Sequence, residues 1–180
     1  MSALKLKSMT AAAVLAAGVL SAPSAFAAVD MFLKVPSVPG ESLDARHPNE
    51  IDVLSWSWGL TAAGTQKTSG ACVGDLQLVK NTDAATPGLM IALTVGQNLG
   101  EVVLTVRKAG VGLQEFLVVT LQDTTVSAVS TGLSTGGGAP IENVSLRFSY
   151  ADWTYRKQRP DGSLDTPVTA RVYSNKQGCQ

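Results

Sequence analysis

Apolar and polar side chains alternate with a period of two along much of this chain, and that period belongs to half-buried β-strands, not to helices. Val144, Leu146, Phe148 and Tyr150 are interleaved with Ser145, Arg147 and Ser149. In the stretch from Glu101 to Lys108, Val102, Leu104 and Val106 are expected to point inward, and Glu101, Thr105 and Arg107 outward. Val168, Ala170 and Val172 repeat the pattern near the C-terminus. A chain patterned in this way has to bury one face of each strand against another sheet, which restricts it to a sandwich or a barrel.

The remaining segments fit that frame. Val29 to Val35 is β-prone and is stopped by Pro36 and Pro39, and Ser37 to Asn49 reads as a loop. From Glu50 to Gly59 the apolar positions change phase, from Ile51 and Val53 to Leu54, Trp56 and Trp58, as a bulge would require. Thr61 to Gly70 is small and polar and reads as a loop, and Val73 to Lys80 as a strand. Thr86 as N-cap, Pro87 at the first helical position and Gly96 beyond the end predict a single short helix from about Pro87 to Val95. Leu113 to Gln122 reads as a central strand, Thr124 to Ser130 as a weaker one, and Gly132 to Gly138 as a loop. Pro160-Asp161-Gly162 is the turn of a long terminal hairpin that begins at Val144. The expectation is one mainly β domain of about eight strands with one short helix.

The N-terminus obeys a different grammar. Lys5 and Lys7 precede an uncharged run from Met9 to Leu20, and Pro23 and Ala25-Phe26-Ala27 follow it. This is the layout of a secretory signal peptide cleaved after Ala27, and the run is too short to span a bilayer. Residues 1–27 are therefore read as a leader and 28–180 as the mature domain, exported to the periplasm or the extracellular space. Loss of Lys5 and Lys7 leaves the mature chain two charges to the acidic side of neutrality. Such a balance lacks the basic face that nucleic-acid binding needs. No later apolar run is long enough for membrane insertion. Cys72 and Cys179 enter an oxidising compartment. They are read as an intramolecular disulfide, as two free thiols, or as a bridge between subunits.

Candidate chemistry is sparse. Gly132-Leu133-Ser134-Thr135-Gly136 matches the nucleophile-elbow pattern, but Gly137, Gly138 and Pro140 cannot open the helix that motif requires. The mature chain holds one histidine, His47, and it lies before the serine. Glu41, Asp44, Glu50 and Asp52 read as a solvated loop face, with no calcium-loop spacing. His47 beside Pro48 is a loop residue or hydrogen-bonding partner in this reading. Two cysteines and one histidine are too few for a structural zinc site. Asn143-Val144-Ser145 reads as a chance sequon. Trp56 and Trp58 at i, i+2 read as core. Neither an enzyme nor a cofactor is expected, and the residues point to an exported β domain that binds or assembles.

Several segments carry a resemblance. Asp30-Met31-Phe32-Leu33-Lys34-Val35, then Gly40-Glu41-Ser42 with Asp44, then His47 leading into Glu50-Ile51-Asp52-Val53-Leu54-Ser55-Trp56-Ser57-Trp58-Gly59 resemble the Hcp family, the haemolysin-coregulated proteins of type VI secretion systems. Asp83 with Thr86-Pro87, the late strand with Phe148, Trp153 and Tyr155, and Asp161-Gly162-Ser163 also fit. Phe32, Lys34, Gly40, Glu41, Ser42, Asp44, His47, Ser55, Trp56, Trp58 and Gly59 are the motif residues. The resemblance implies a two-sheet, barrel-like β fold with one helix packed outside. It also implies subunits joined edge to edge into six-membered rings that stack into a conduit and hold effectors. The partners expected are further copies of the chain, effectors in the lumen and other parts of the secretion apparatus. Relatives in this family normally lack a leader, so a second reading stays open: an exported relative that acts as a soluble binding or adhesion module.

Overall fold

A computed structural model of the protein describes residues 28–62, 70–108, 112–133 and 138–174. Ten strands and one helix follow in the order β1 (Val29–Lys34), β2 (Ile51–Ser57), β3 (Leu60–Ala62), β4 (Ala71–Val73), β5 (Leu76–Asn81), α1 (Thr86–Val95), β6 (Asn98–Lys108), β7 (Glu115–Gly132), β8 (Ile141–Arg147), β9 (Tyr150–Tyr155) and β10 (Val168–Tyr173). Eight strands form one antiparallel sheet in the order β10-β9-β7-β6-β1-β2-β5-β8, and β8 also pairs with β7. β3 and β4 make a separate two-stranded hairpin.

The sheet folds over on itself because β7 has two sets of partners. Its first half, Leu117 to Gln122, pairs with β9, and its second half, Thr125 to Gly132, pairs with β8. The change falls at Asp123, whose φ of 51° lies in the left-handed region that Asp tolerates better than most residues. Two strands were expected here. Leu117, Val119 and Leu121 are buried, and beyond Asp123 the buried positions shift by one to Thr124 and Val126, so one strand runs through the irregularity and exchanges neighbours there. The outcome is the mainly β, barrel-like sandwich expected from the alternation. Its core holds Leu33, Ile51, Leu76, Leu78, Val102, Leu104, Val119, Leu121, Val144 and Leu146, each no more than 1% exposed.

Four local expectations need correction. Thr61 and Ala62 belong to β3 and are not loop, because they pair with Cys72 and Ala71. The terminal hairpin begins at β9, not at Val144. Between them Phe148 and Ser149 break the run, and β8 leaves to pair with β5 and β7. Thr86 does not cap the helix, since Ala85 occupies that position without a side-chain bond. Gly96 does end it, at φ 65° in the left-handed conformation. Finally, Thr105 and Arg107 are buried at 5% and 4% exposure instead of facing water. The loop between β1 and β2 covers Arg107 through Asp44. The phase change in β2 is a bulge between Val53 and Ser55.

α1 lies outside the sheet against β7. Leu89 and Ala92 are buried beneath it, and Ile91 and Val95 face outward. A Cβ at Gly88 would come within 2.7 Å of Val38 Cγ1, so the helix also touches the β1–β2 loop closely. None of the described helices is long and apolar enough to cross a membrane.

Candidate functional site

The motif residues do not converge on one pocket. The structure divides them into a polar knot at the β1–β2 loop and an aromatic cluster at the far end of β2.

The knot begins with backbone geometry. The loop doubles back so that Gly40 N–H donates to the Asn49 carbonyl at 2.8 Å and Ser42 N–H to the Glu50 carbonyl at 3.0 Å. A Cβ at Gly40 would stand 2.4 Å from the Glu50 carbonyl oxygen, so only glycine permits this approach. Asp44 then accepts from the backbone N–H groups of Arg46 at 2.8 Å and His47 at 3.1 Å. Arg107 reaches up from β6 and donates to both oxygens of Asp44, and its Nε and Nη2 donate to Asp30 at 3.1 Å. Arginine suits this place because its planar fork can serve two carboxylates at once. The hydrogen bond from Arg107 holds the Asp44 carboxyl well below the ordinary carboxylate range, against the opposing effect of desolvation. The same bond raises Arg107 above its usual value.

Phe32 supplies the apolar part. The Arg107 guanidinium lies over its ring at 4.7 Å, and the His47 ring stacks on it at 4.3 Å and 7°. His47 Nδ1 is 2.9 Å from Glu50, and Nε2 is 3.5 Å from Glu115. Glu41 accepts from Ala84 N–H and ties the loop to the start of α1. Lys34 at the end of β1 is exposed. Asp44 and Glu50 are thus paired members of the knot, which corrects their reading as a solvated face, whereas Asp52 is exposed. His47 is a hydrogen-bonding partner, as expected. No cluster of three metal-ligating side chains exists among the described residues.

At the other end, Trp56 and Trp58 are half-buried against Trp153 at 5.7 and 6.0 Å, and Trp58 meets Phe148 edge-on at 5.7 Å. Trp58 Nε1 donates to the Gly74 carbonyl at 3.0 Å, and Gly74 N–H donates to the Gly59 carbonyl at 2.9 Å. These contacts satisfy the indole and join β2 to the β3–β4 hairpin, so both tryptophans pack as core. Ser55 is exposed on β2. Cys72 on β4 is half-buried and disulfide-bonded. Cys179 and Ser134 lie outside the described residues.

Sequence reasoning missed one buried site. Lys80 on β5 and Glu142 on β8 are direct partners across the sheet, 1% and 0% exposed. Lys80 Nζ donates to Glu142 at 2.9 Å and lies 2.7 Å from Asp83. Thr86 and Thr82 donate to the same carboxylate at 2.8 and 3.0 Å. The network anchors the start of α1 to the sheet. A signal existed: Lys80 is in phase with Leu76 and Leu78, and Glu142 with Val144 and Leu146, so each occupies an inward position.

Among the described residues, Phe32, Gly40, Glu41, Ser42, Asp44, His47, Trp56, Trp58 and Gly59 make the packing and hydrogen-bond contacts that hold the fold together, and Lys34 and Ser55 are exposed. What remains outward is edge and surface. Among the described residues β10 ends the sheet with no strand on its outer side, and Val168 and Tyr173 on it are 70% and 63% exposed. Leu43, at the tip of the β1–β2 loop, is fully exposed. Among the described residues, one strand edge and one loop tip of the eight-stranded sheet therefore face outward.

Comparison with known proteins agrees. The family described as "Type VI secretion system effector, Hcp" matches residues 32–155. Protein hcp1 of Pseudomonas aeruginosa is 43% identical over 145 residues, covering 77% of this chain and 90% of that protein. The crystal structure of Hcp1 from Salmonella typhimurium superposes with a TM-score of 0.67 at 34% identity, covering 82% of this chain and 95% of that one. A type VI secretion system effector from Yersinia pestis gives 0.67 at 30% identity, covering 80% and 99%. The chain belongs to the Hcp family of type VI secretion.

Proposed function

We propose that this chain is a structural subunit of a type VI secretion tube: it forms rings of six that stack into a conduit, and the lumen holds effector proteins. The observation that carries the reading is the open edge at β10. Among the described residues no strand pairs with the outer side of β10, where Val168 and Tyr173 are exposed; such an edge is a liability in a monomer, and a neighbouring subunit covers it in a closed ring. The Arg171–Asp152 bidentate pair on the same hairpin, with bonds of 2.7 and 2.8 Å, holds β10 to β9 and keeps the edge in place.

Residues 1–27 act in this reading as a leader removed after Ala27. β1 begins at Val29, so cleavage there leaves every strand among the described residues intact. The mature chain is then delivered outside the cytoplasm. Intact mass of protein recovered from the periplasm or medium tests the cleavage, and an uncleaved N-terminus refutes it.

Light scattering coupled to size exclusion on residues 28–180, with negative-stain images of the main peak, tests the ring. Six subunits around an open centre support it. A monomer under oxidising and reducing conditions alike refutes it and leaves the soluble-module reading. Val168→Lys together with Tyr173→Lys shifts rings to monomers if the β10 edge is the joint.

A further inference from the structure

One buried nitrogen of the polar knot lacks a hydrogen bond. His47 is 6% exposed, and its Nε2 stands 3.5 Å from Glu115 Oε1, just beyond hydrogen-bond range. The other ring nitrogen, Nδ1, lies 2.9 Å from Glu50. An ionised carboxylate can only accept, so Nδ1 carries the hydrogen of that bond. The neutral ring then has a bare lone pair at Nε2 beside a second carboxylate, an arrangement that keeps the two apart. A proton added at Nε2 turns that lone pair into a donor, and one imidazolium can serve Glu50 and Glu115 together.

The surroundings accept the charge. Besides Glu50 and Glu115, the carboxylates gathered here are Asp44 of the loop, Asp30 on β1 and Asp52 on β2, opposite Phe32 in register. The cations are Arg107 over the Phe32 ring and Arg46 beside His47. Phe32 itself stacks on the His47 ring at 4.3 Å and offers a π face to a cation. Glu115 has room to close the gap, because its side chain is 38% exposed. A second tie runs alongside. Arg46 Nη1 donates to the Leu113 carbonyl at 2.8 Å, and Leu113 is held there at φ 41°, a left-handed conformation unusual for leucine. Consecutive loop residues thus reach the start of β7, Arg46 by a permanent charge and His47 through a proton.

We propose that His47 is a proton-operated latch between the β1–β2 loop and the start of β7. Protonated, it clasps Glu50 and Glu115 at once. Neutral, it keeps Glu50 and lets Glu115 go. The latch is therefore tightest at the acid end of about pH 5 to 8 and slackens as pH rises, in a window where histidine is the side chain whose charge ordinarily changes and carboxylates ordinarily stay ionised. It lies within one chain and does not depend on ring formation.

Two measurements on the full exported chain test it. His47 is the only histidine of the sequence, so its Cε1 resonance follows the imidazole without ambiguity. Hydrogen exchange of the peptide 112–117, corrected for the intrinsic effect of pH, reads the start of β7. The resonance should shift across the window, and protection of the peptide should fall several-fold from about pH 5.5 to about pH 7.5. In Glu115→Gln the amide can accept from the imidazolium or donate to the neutral ring, so protection should become independent of pH. A merely structural role for Glu115 would change protection equally at both pH values. A resonance that does not move, wild-type protection that does not change with pH, or a Glu115→Gln variant that keeps the wild-type pH dependence overturns the latch.

Discussion

Replacing Lys80 with Met should be among the most damaging single changes in the protein. The ammonium lies 1% exposed between β5 and β8 and touches Glu142, Thr86, Asp83 and the Asn81 carbonyl at 2.7–3.2 Å. Methionine fills the space but leaves the Glu142 carboxylate, 0% exposed, with only the hydroxyls of Thr82 and Thr86. Breaking a buried pair by removing one partner costs about 3–5 kcal/mol. In a domain of this size each kcal/mol moves the melting temperature by ~2–4 °C, so the expected fall is roughly 6–20 °C. Pairing the change with Glu142→Leu removes the stranded charge and should recover most of the loss, since an apolar pair often substitutes for a buried ionic one. The pH dependence gives an independent check. Burial alone would push the Glu142 carboxyl up, but hydrogen bonds from Lys80, Thr86 and Thr82 outweigh it and hold it below its ordinary value. A carboxyl lowered on folding stabilises above its unfolded pKa of about 4.3, and that contribution fades as pH falls. Without Lys80 burial dominates, and acidification should relieve the variant. Calorimetry at matched concentrations from pH 7 down to about pH 2 measures both effects. A loss under about 1 kcal/mol, a double variant worse than the single one, or an unchanged pH slope would refute the reasoning.

Other changes test the knot and the core. Gly40→Ala places a methyl 2.4 Å from the Glu50 carbonyl oxygen and should cost about 1–3 kcal/mol by denaturant titration, with faster hydrogen exchange across residues 40–50. Arg107→Lys keeps the charge but loses the fork shared by Asp30 and Asp44, so exchange at the Arg46 and His47 amides should accelerate with little change at β8. Acid titration of the Asp44 carboxyl by NMR should find it still ionised below the usual carboxylate range, and Arg107→Met should return it toward that range. Leu121→Ala, at a side chain with 0% exposure, should cost about 2–5 kcal/mol in chemical denaturation.

The polar knot also holds the base of the loop that exposes Leu43. A fully exposed leucine on a loose loop would lose much of its contact energy to the entropy of ordering. Here two backbone bonds at Gly40 and Ser42, the Asp44 bonds to Arg46 and His47, and the Arg107 fork hold the base of the loop in one conformation.

The sequence by itself determined what depends on local periodicity and turn chemistry. Alternation marked β6, β8 and β10, the phase change marked the bulge in β2, and Pro87 with Gly96 bounded α1. The clustering of Phe32, Gly40, Asp44, His47 and the Trp56–Gly59 segment was enough to suggest the family. Only the tertiary structure decided which strands adjoin, because pairing partners lie far apart in the chain and period two is the same for all of them. It decided that β7 serves two neighbours, and that the outer face of β6 is covered, which makes Arg107 a buried residue despite its outward phase. It also joined Lys80 to Glu142 across 62 positions. Each charge looks costly at an inward position when read alone. The register of β5 against β8 makes each the partner of the other, and register is a property of the folded sheet.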